Sequence, residues 1–188
     1  MTPTLLPTLP APPAPVTFLA DDLTLPALEA EVRTARPGEA CVILALVSAH
    51  QDEGHLLPRS RAELEARTAR FVVAVVDGRV VACAELAPLS AAVAEVRSLV
   101  VDRAARGGGV GRRLVDELLR RAAVEGFERL CAFSHEPGYF MRMGFSLVPH
   151  TWVPEKLAAD CRSCALFRQC GQQAVVRAVS PARRPRHA

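Results

Sequence analysis

The chain has 188 residues, half of them apolar, and a net charge of +3 at neutral pH. That length supports one domain with a full core, the charge is too small to argue for nucleic acid, and the longest apolar run, residues 41–47, is too short to cross a bilayer. Of the 23 basic residues 22 are arginine and one, Lys156, is lysine, a skew read here as codon bias rather than as a binding surface.

Residues 1–15 hold six prolines and no basic residue. They read as a flexible arm, neither signal peptide nor anchor, so the cytoplasm is the default location. A single domain is expected over residues 16–179, with a basic flexible tail over 180–188. Residues 16–20 are a candidate first strand, and residues 25–36 have helical character ended by Pro37-Gly38. An apolar helix follows over 39–49, then a polar loop over 51–59. Ser60 with Glu63 has the spacing of a capping box and opens a helix to about Ala69. Residues 71–76 and 79–86 flank Asp77-Gly78, a strong hairpin signal, and 92–101 is a further strand. Val110, Leu114, Val115, Leu118 and Ala122 repeat at helical spacing, and Gly126 ends that helix. Asp116–Arg120 and Glu117–Arg121 are expected ion pairs on its other face. A short strand over 130–133, helical turns over 139–143 closed by Gly144, and late strands over 145–148 and 174–179 complete the chain. Cys41, Cys83 and Cys131 lie in apolar runs and read as core thiols.

Between the strand and the long helix lies Arg106-Gly107-Gly108-Gly109-Val110-Gly111. Its glycines can adopt φ > 0 and leave the backbone bare. Amides at a helix start favour a phosphate or pyrophosphate. The loop lacks the Lys-Ser/Thr of a nucleotide-hydrolase P-loop. It also has Leu114 where the dinucleotide fingerprint needs its third glycine. Its spacing, met by Arg106, Gly109 and Gly111, resembles the acetyl-CoA loop of the GNAT acetyltransferases.

The order of elements resembles the GNAT fold: an α/β architecture with a mixed, mostly antiparallel sheet and helices on both faces, matched over about residues 39–179. The run from Ala94 to Asp102, Tyr139 to Phe145, Pro154-Glu155-Lys156, Asp160-Cys161, Cys164, Phe167 and Cys170 narrow the resemblance to the short N-acetylglutamate synthases, which lack the amino-acid-kinase domain. Ala158, Ala165, Gly171 and Gln172 depart from that pattern. So does the amino end, where residues 21–38 stand between the candidate first strand and the first helix of the match.

The resemblance implies acetyl transfer from acetyl-CoA to the α-amine of an amino acid, L-glutamate first, as in arginine biosynthesis. Other small amines, protein N-termini or lysines, and a non-catalytic acetyl-CoA-binding regulator remain alternatives. The resemblance also implies a bulge that splays the strand over 92–101, with the backbone of Leu99, Val100 and Val101 holding the pantetheine and polarising the thioester, and it assigns the rest of the cofactor binding to Arg106, Gly107, Gly108, Gly109, Val110, Gly111 and Arg112. In a regular strand, Glu95 and Arg97 share a face with Val93, Leu99 and Val101. Charges in an apolar strand are costly unless paired or functional. Glu95 is the candidate base and Arg97 the candidate carboxylate fork, or the two simply pair with each other. GNAT proteins often carry tyrosine at the position of Phe140, so either Tyr139, one place earlier, is the acid or no side chain protonates the thiolate; His135 is a weaker candidate. Cys161, Cys164 and Cys170 are weak metal candidates, with zinc completed by His150 or His135 as the option and a reduced structural cluster as the preferred reading. The partners implied are a small amino acid, no nucleic acid and no membrane, with a homodimer left open.

Overall fold

Valine-rich runs set off by turn residues pair into one sheet, because β-branched side chains pack well on a pleated surface. In the computed structural model, which describes residues 29–180 apart from 54, 55 and 57, the strands are β1 (Glu31–Thr34), β2 (Phe71–Val76), β3 (Arg79–Pro88), β4 (Val93–Val101), β5 (Arg129–Ser134), β6 (Ser146–Val148) and β7 (Gln173–Ala178). They lie in the order β1-β2-β3-β4-β5-β7-β6. Among these described strands β4 and β5 are the one parallel pair, and the others are antiparallel.

The helices are α1 (Ala40–Ala49), α2 (Arg61–Arg67), α3 (Val110–Glu125), α4 (Pro137–Met141) and α5 (Pro154–Ala159). The apolar stripe of α3, with Val110, Leu114, Val115, Leu118 and Ala122, packs on Val72, Ala74, Ala84, Ala94 and Val96 on one sheet face. On the other face α1 brings Ile43 and Val47 against Phe71, Val73 and Cys83. Leu114 and Leu118 are fully buried, and each contributes about 1.5–3 kcal/mol through the water it sheds. The hairpin turn at Asp77-Gly78 has positive φ at both residues, 48° and 76°, as its sequence demands. The Glu63 amide donates to Ser60 Oγ at 3.1 Å, so the cap of α2 forms.

Several expectations are corrected. The helix expected over residues 25–36 is strand β1 in its described part. Glu31–Thr34 pairs with residues 72–75 of β2, and edge pairing overrides the helical preference of the alanines and glutamates over residues 27–31. Gly38, at φ 91°, then turns the chain into α1, so the first described strand lies close to the first helix. The candidate strand at 16–20 lies outside the described residues. On α3, Asp116 pairs with Arg112 at 3.8 Å, while Glu117 takes both Arg120 and Arg121. Cys41 is exposed, whereas Cys83 and Cys131 are buried as expected.

Candidate active site

Strand β4 is not regular. Val100 lies opposite Cys83, but Arg97 lies opposite Glu85, so a two-residue step on β3 faces a three-residue step on β4. The extra residue is a bulge, and Ser98 there has φ 48°, a left-handed conformation that non-glycine residues take at a cost. The bulge exchanges the faces. Ala94 and Val96 pack towards α3 before it, and Leu99 and Val101 do so after it. The single face expected for Glu95, Arg97, Leu99 and Val101 is therefore broken. Glu95 and Arg97 lie on the α1 side of the sheet, with Val93 and Val100.

Pairing of β4 with β5 stops at Glu95 and Cys131. Beyond that pair the strands part around a cavity of about 950 Å³, lined along one wall by Val96 to Val101 and at the other by Phe133 and Ser134. Peptide groups on the β5-facing edge of that wall have no ladder partner among the described residues and are open to a ligand. At one end stands the glycine loop, with Gly107 at φ 85° and Gly109 at φ 74° capping α3. Arg106, Gly107, Gly109, Val110, Gly111 and Arg112 line the cavity; Gly108 does not. Arg106 is held by its Nε donating to Val101 O at 3.0 Å and by Glu53 at 2.8 Å.

At the other end four charged groups close a network. Arg97 Nε donates to Glu95 Oε2 at 2.5 Å, and Arg97 also donates to Asp160. Lys156 Nζ reaches Glu95 Oε1 at 2.8 Å and Asp160 Oδ2 at 2.9 Å. Glu95 is 3% exposed. Burial opposes the charge on Arg97, but Glu95, Asp160 and Glu85 outweigh it and hold its pKa above the usual value. Burial likewise opposes the charge on Asp160, but Lys156 and Arg97 outweigh it and hold its carboxyl below the usual range. The pairing of Glu95 with Arg97 is thus real, and it is one edge of a larger arrangement.

Tyr139 and Phe140 both line the cavity, and Phe140 is buried with its ring edge-on to Phe145 in the core. The Tyr139 hydroxyl lies over Gly111, on the loop side of the cleft. Burial raises its pKa, so it keeps its proton at neutral pH. His135 is exposed at the cavity rim.

Residues 39–145 match the model of the acetyltransferase (GNAT) family. The chain belongs to that family. This acetyltransferase is 31% identical over 153 residues to an uncharacterized N-acetyltransferase of Chlorobaculum tepidum, covering 81% of this chain and 99% of that one. It is 34% identical over 134 residues to the amino-acid acetyltransferase of Neisseria meningitidis serogroup A, covering 70% of this chain and 31% of that protein. Its fold superposes on N-acetylglutamate synthase from Neisseria gonorrhoeae, solved with coenzyme A and N-acetyl-glutamate, at a TM-score of 0.73 and 30% identity, covering 80% of this chain and 35% of that one. The chain thus spans about a third of the Neisseria proteins it matches.

The acetyltransferase holds site residues that sequence reasoning passed over. Lys156, put down to composition, is part of the charged network, and its ammonium also stands 5.4 Å from the Phe133 ring centroid. Its signal was its singularity among arginines, since a compact ammonium and a planar guanidinium do different work. Asp160 and Arg59 also line the cavity. Glu85, across from Arg97, is 1% exposed, and its Oε1 has no hydrogen-bond partner among the described residues. Burial raises its pKa, offset in part by Arg59, Arg97, Arg67 and Arg70. For the cysteines, no group of three or more His, Cys, Asp or Glu among the described residues is placed to hold a metal. His150 Nε2 instead lies 2.9 Å from Gln172 O.

Proposed function

We propose that this acetyltransferase carries an acetyl group from acetyl-CoA to the α-amine of an amino acid, with L-glutamate as the acceptor, a step of arginine biosynthesis. The observation that carries the reading is the acceptor end of the cleft. Three cations, Arg59, Arg97 and Lys156, line it beside the buried Glu95. An acceptor with two carboxylates has cations to meet there, and planar guanidinium forks suit carboxylates. The name of the Neisseria meningitidis relative favours an amino acid, and that of the Neisseria gonorrhoeae structure favours glutamate.

The loop and cleft fit acetyl-CoA. Gly107 and Gly109 adopt the positive φ that turns backbone amides outward at the start of a sixteen-residue helix, where dipole and free N–H groups favour pyrophosphate. In this reading Arg106, Gly107, Gly109, Val110, Gly111 and Arg112, which line the cavity, hold the pyrophosphate. The bulged backbone of Leu99, Val100 and Val101 holds the pantetheine. The amine nitrogen attacks the thioester carbon and the carbon–sulfur bond breaks. The amine proton passes to Glu95, and Tyr139 donates its proton to the thiolate.

The test is steady-state acetyl transfer with acetyl-CoA and a panel of free amino acids, a polyamine and lysine-bearing peptides. Glutamate is expected to show the highest kcat/KM. Preference for another amine would replace the acceptor, and tight acetyl-CoA binding with no transfer to any member would replace catalysis with a regulatory role.

A further inference from the structure

Resting on that reading of the acceptor end, we infer that Asp160 is a specificity-determining residue: its carboxylate occupies the acceptor's carboxylate subsite, and an acceptor enters by displacing it. The two anions of the network are not equivalent. Glu95 sits on a strand with its side chain 4% exposed, whereas Asp160 follows the short helix α5 with its side chain 38% exposed, on the cavity wall. Its Oδ2 accepts from both Arg97 and Lys156. That is the contact which an amino acid's carboxylate would make with the same two cations. Without Asp160, two cations face the pocket with one anion, Glu95, beneath them.

The segment that carries Asp160 can give way. No residue from Pro154 to Gln173 is buried, and the nearest core anchor is Val153, 1% exposed, packed on Val93 and Cys131. Asp160 is tied locally, by its amide to Lys156 O at 3.0 Å and by the Ser163 hydroxyl donating to its carbonyl at 3.2 Å. Lifting the carboxylate off Arg97 and Lys156 therefore breaks ion pairs and displaces no buried side chain. An amine with no carboxylate offers Arg97 and Lys156 nothing in exchange. A carboxylate-bearing acceptor exchanges one carboxylate for another. Because only the displaced form binds, apparent affinity is reduced by the fraction of molecules in that form.

The experiment measures glutarate binding by calorimetry on the full chain saturated with coenzyme A. Glutarate has two carboxylates and no amine, so it reads the subsite without turnover. Asp160→Asn is expected to bind it about tenfold or more tightly than the parent. Asp160→Glu, which keeps a carboxylate, is expected to stay near the parent. Asp160→Asn combined with Arg97→Leu is expected to lose the gain. Equal or weaker glutarate binding by Asp160→Asn, with melting temperature and coenzyme A affinity kept, would overturn the proposal and make Asp160 a holder of the cations. The acceptor reading fails separately. If Asp160→Asn tightens glutarate but glutamate is never acetylated, the subsite stands and the acceptor changes. If glutamate is acetylated but Asp160→Asn gains nothing for glutarate, the acceptor stands and the displacement falls.

Discussion

The hydroxyl of Tyr139 stands where a β-carbon on Gly111 would go: the two would be 2.3 Å apart. Val101 crowds the same point at 3.3 Å. Gly111 is thus glycine because a side chain from α4 lies against the head of α3. Gly111→Ala should push Tyr139 aside and raise the KM for acetyl-CoA. Tyr139→Phe removes the clashing oxygen, so the double variant should recover part of the loss. A double-mutant cycle on acetyl-CoA affinity reads this coupling, and additive losses would separate the two residues.

Gly109 makes a different demand. Nothing lies within 4 Å of a β-carbon there, but its φ is +74°. Gly109→Asp adds backbone strain and a negative charge where the loop is proposed to meet pyrophosphate. Loss of acetyl-CoA binding by calorimetry, with the fold retained by circular dichroism, is the expected result. Unchanged binding would move the pyrophosphate elsewhere.

Glu95→Gln should lower kcat by roughly 10²–10⁴ while acetyl-CoA affinity is kept. A kcat unchanged across the pH range would transfer the base role to water or another side chain.

Arg97→Leu should weaken glutamate binding by about 2–5 kcal/mol, as truncating one partner of a buried charge pair does, and leave acetyl-CoA binding intact. Arg97→Lys should recover only part, because a point charge cannot form a two-pronged contact. Similar losses for glutamate and for an amine without carboxylates would mean that Arg97 serves Glu95 alone.

Glu53 links the turn after α1 to the glycine loop. It is 2.9 Å from His50 Nδ1, 3.0 Å from Arg103 Nε and 2.8 Å from Arg106. The hydrogen bond from His50, and then that from Arg106, lower its pKa to about 2. A depressed carboxyl pKa contributes stability above the unfolded value, near 4.5, and that contribution fades as pH falls towards about 2. Carbon NMR of the Glu53 carboxyl should therefore show a midpoint far below the usual carboxylate range. Arg106→Leu should raise that midpoint, and an ordinary midpoint in the parent chain would mean the tie does not hold in solution.

Much of the fold was legible locally. The Asp-Gly hairpin, the Ser60 cap, the stripe of α3 and its glycine ends are set by residues a few positions apart, so periodicity and turn chemistry suffice to find them. The glycine loop was legible for the same reason, and it named the family. Strand β1 was not, because its four residues form a strand only through β2, some forty positions on. The bulge on β4 was legible only through the family resemblance: alternation in sequence runs straight through it, and the pairing with β3 places it at Ser98 and shows that the faces exchange there. The charged end of the cleft, proposed to take the acceptor, was legible in half. Glu95 and Arg97 stood out as charges in an apolar strand. Lys156 and Asp160, about sixty residues later, could join them only after β5 paired beside β4 and α5 folded back over the sheet face. By itself the sequence determined which chemistry the loop supports; the tertiary structure decided which charges meet across the cleft, because charge contacts between distant segments leave no periodic trace in the chain.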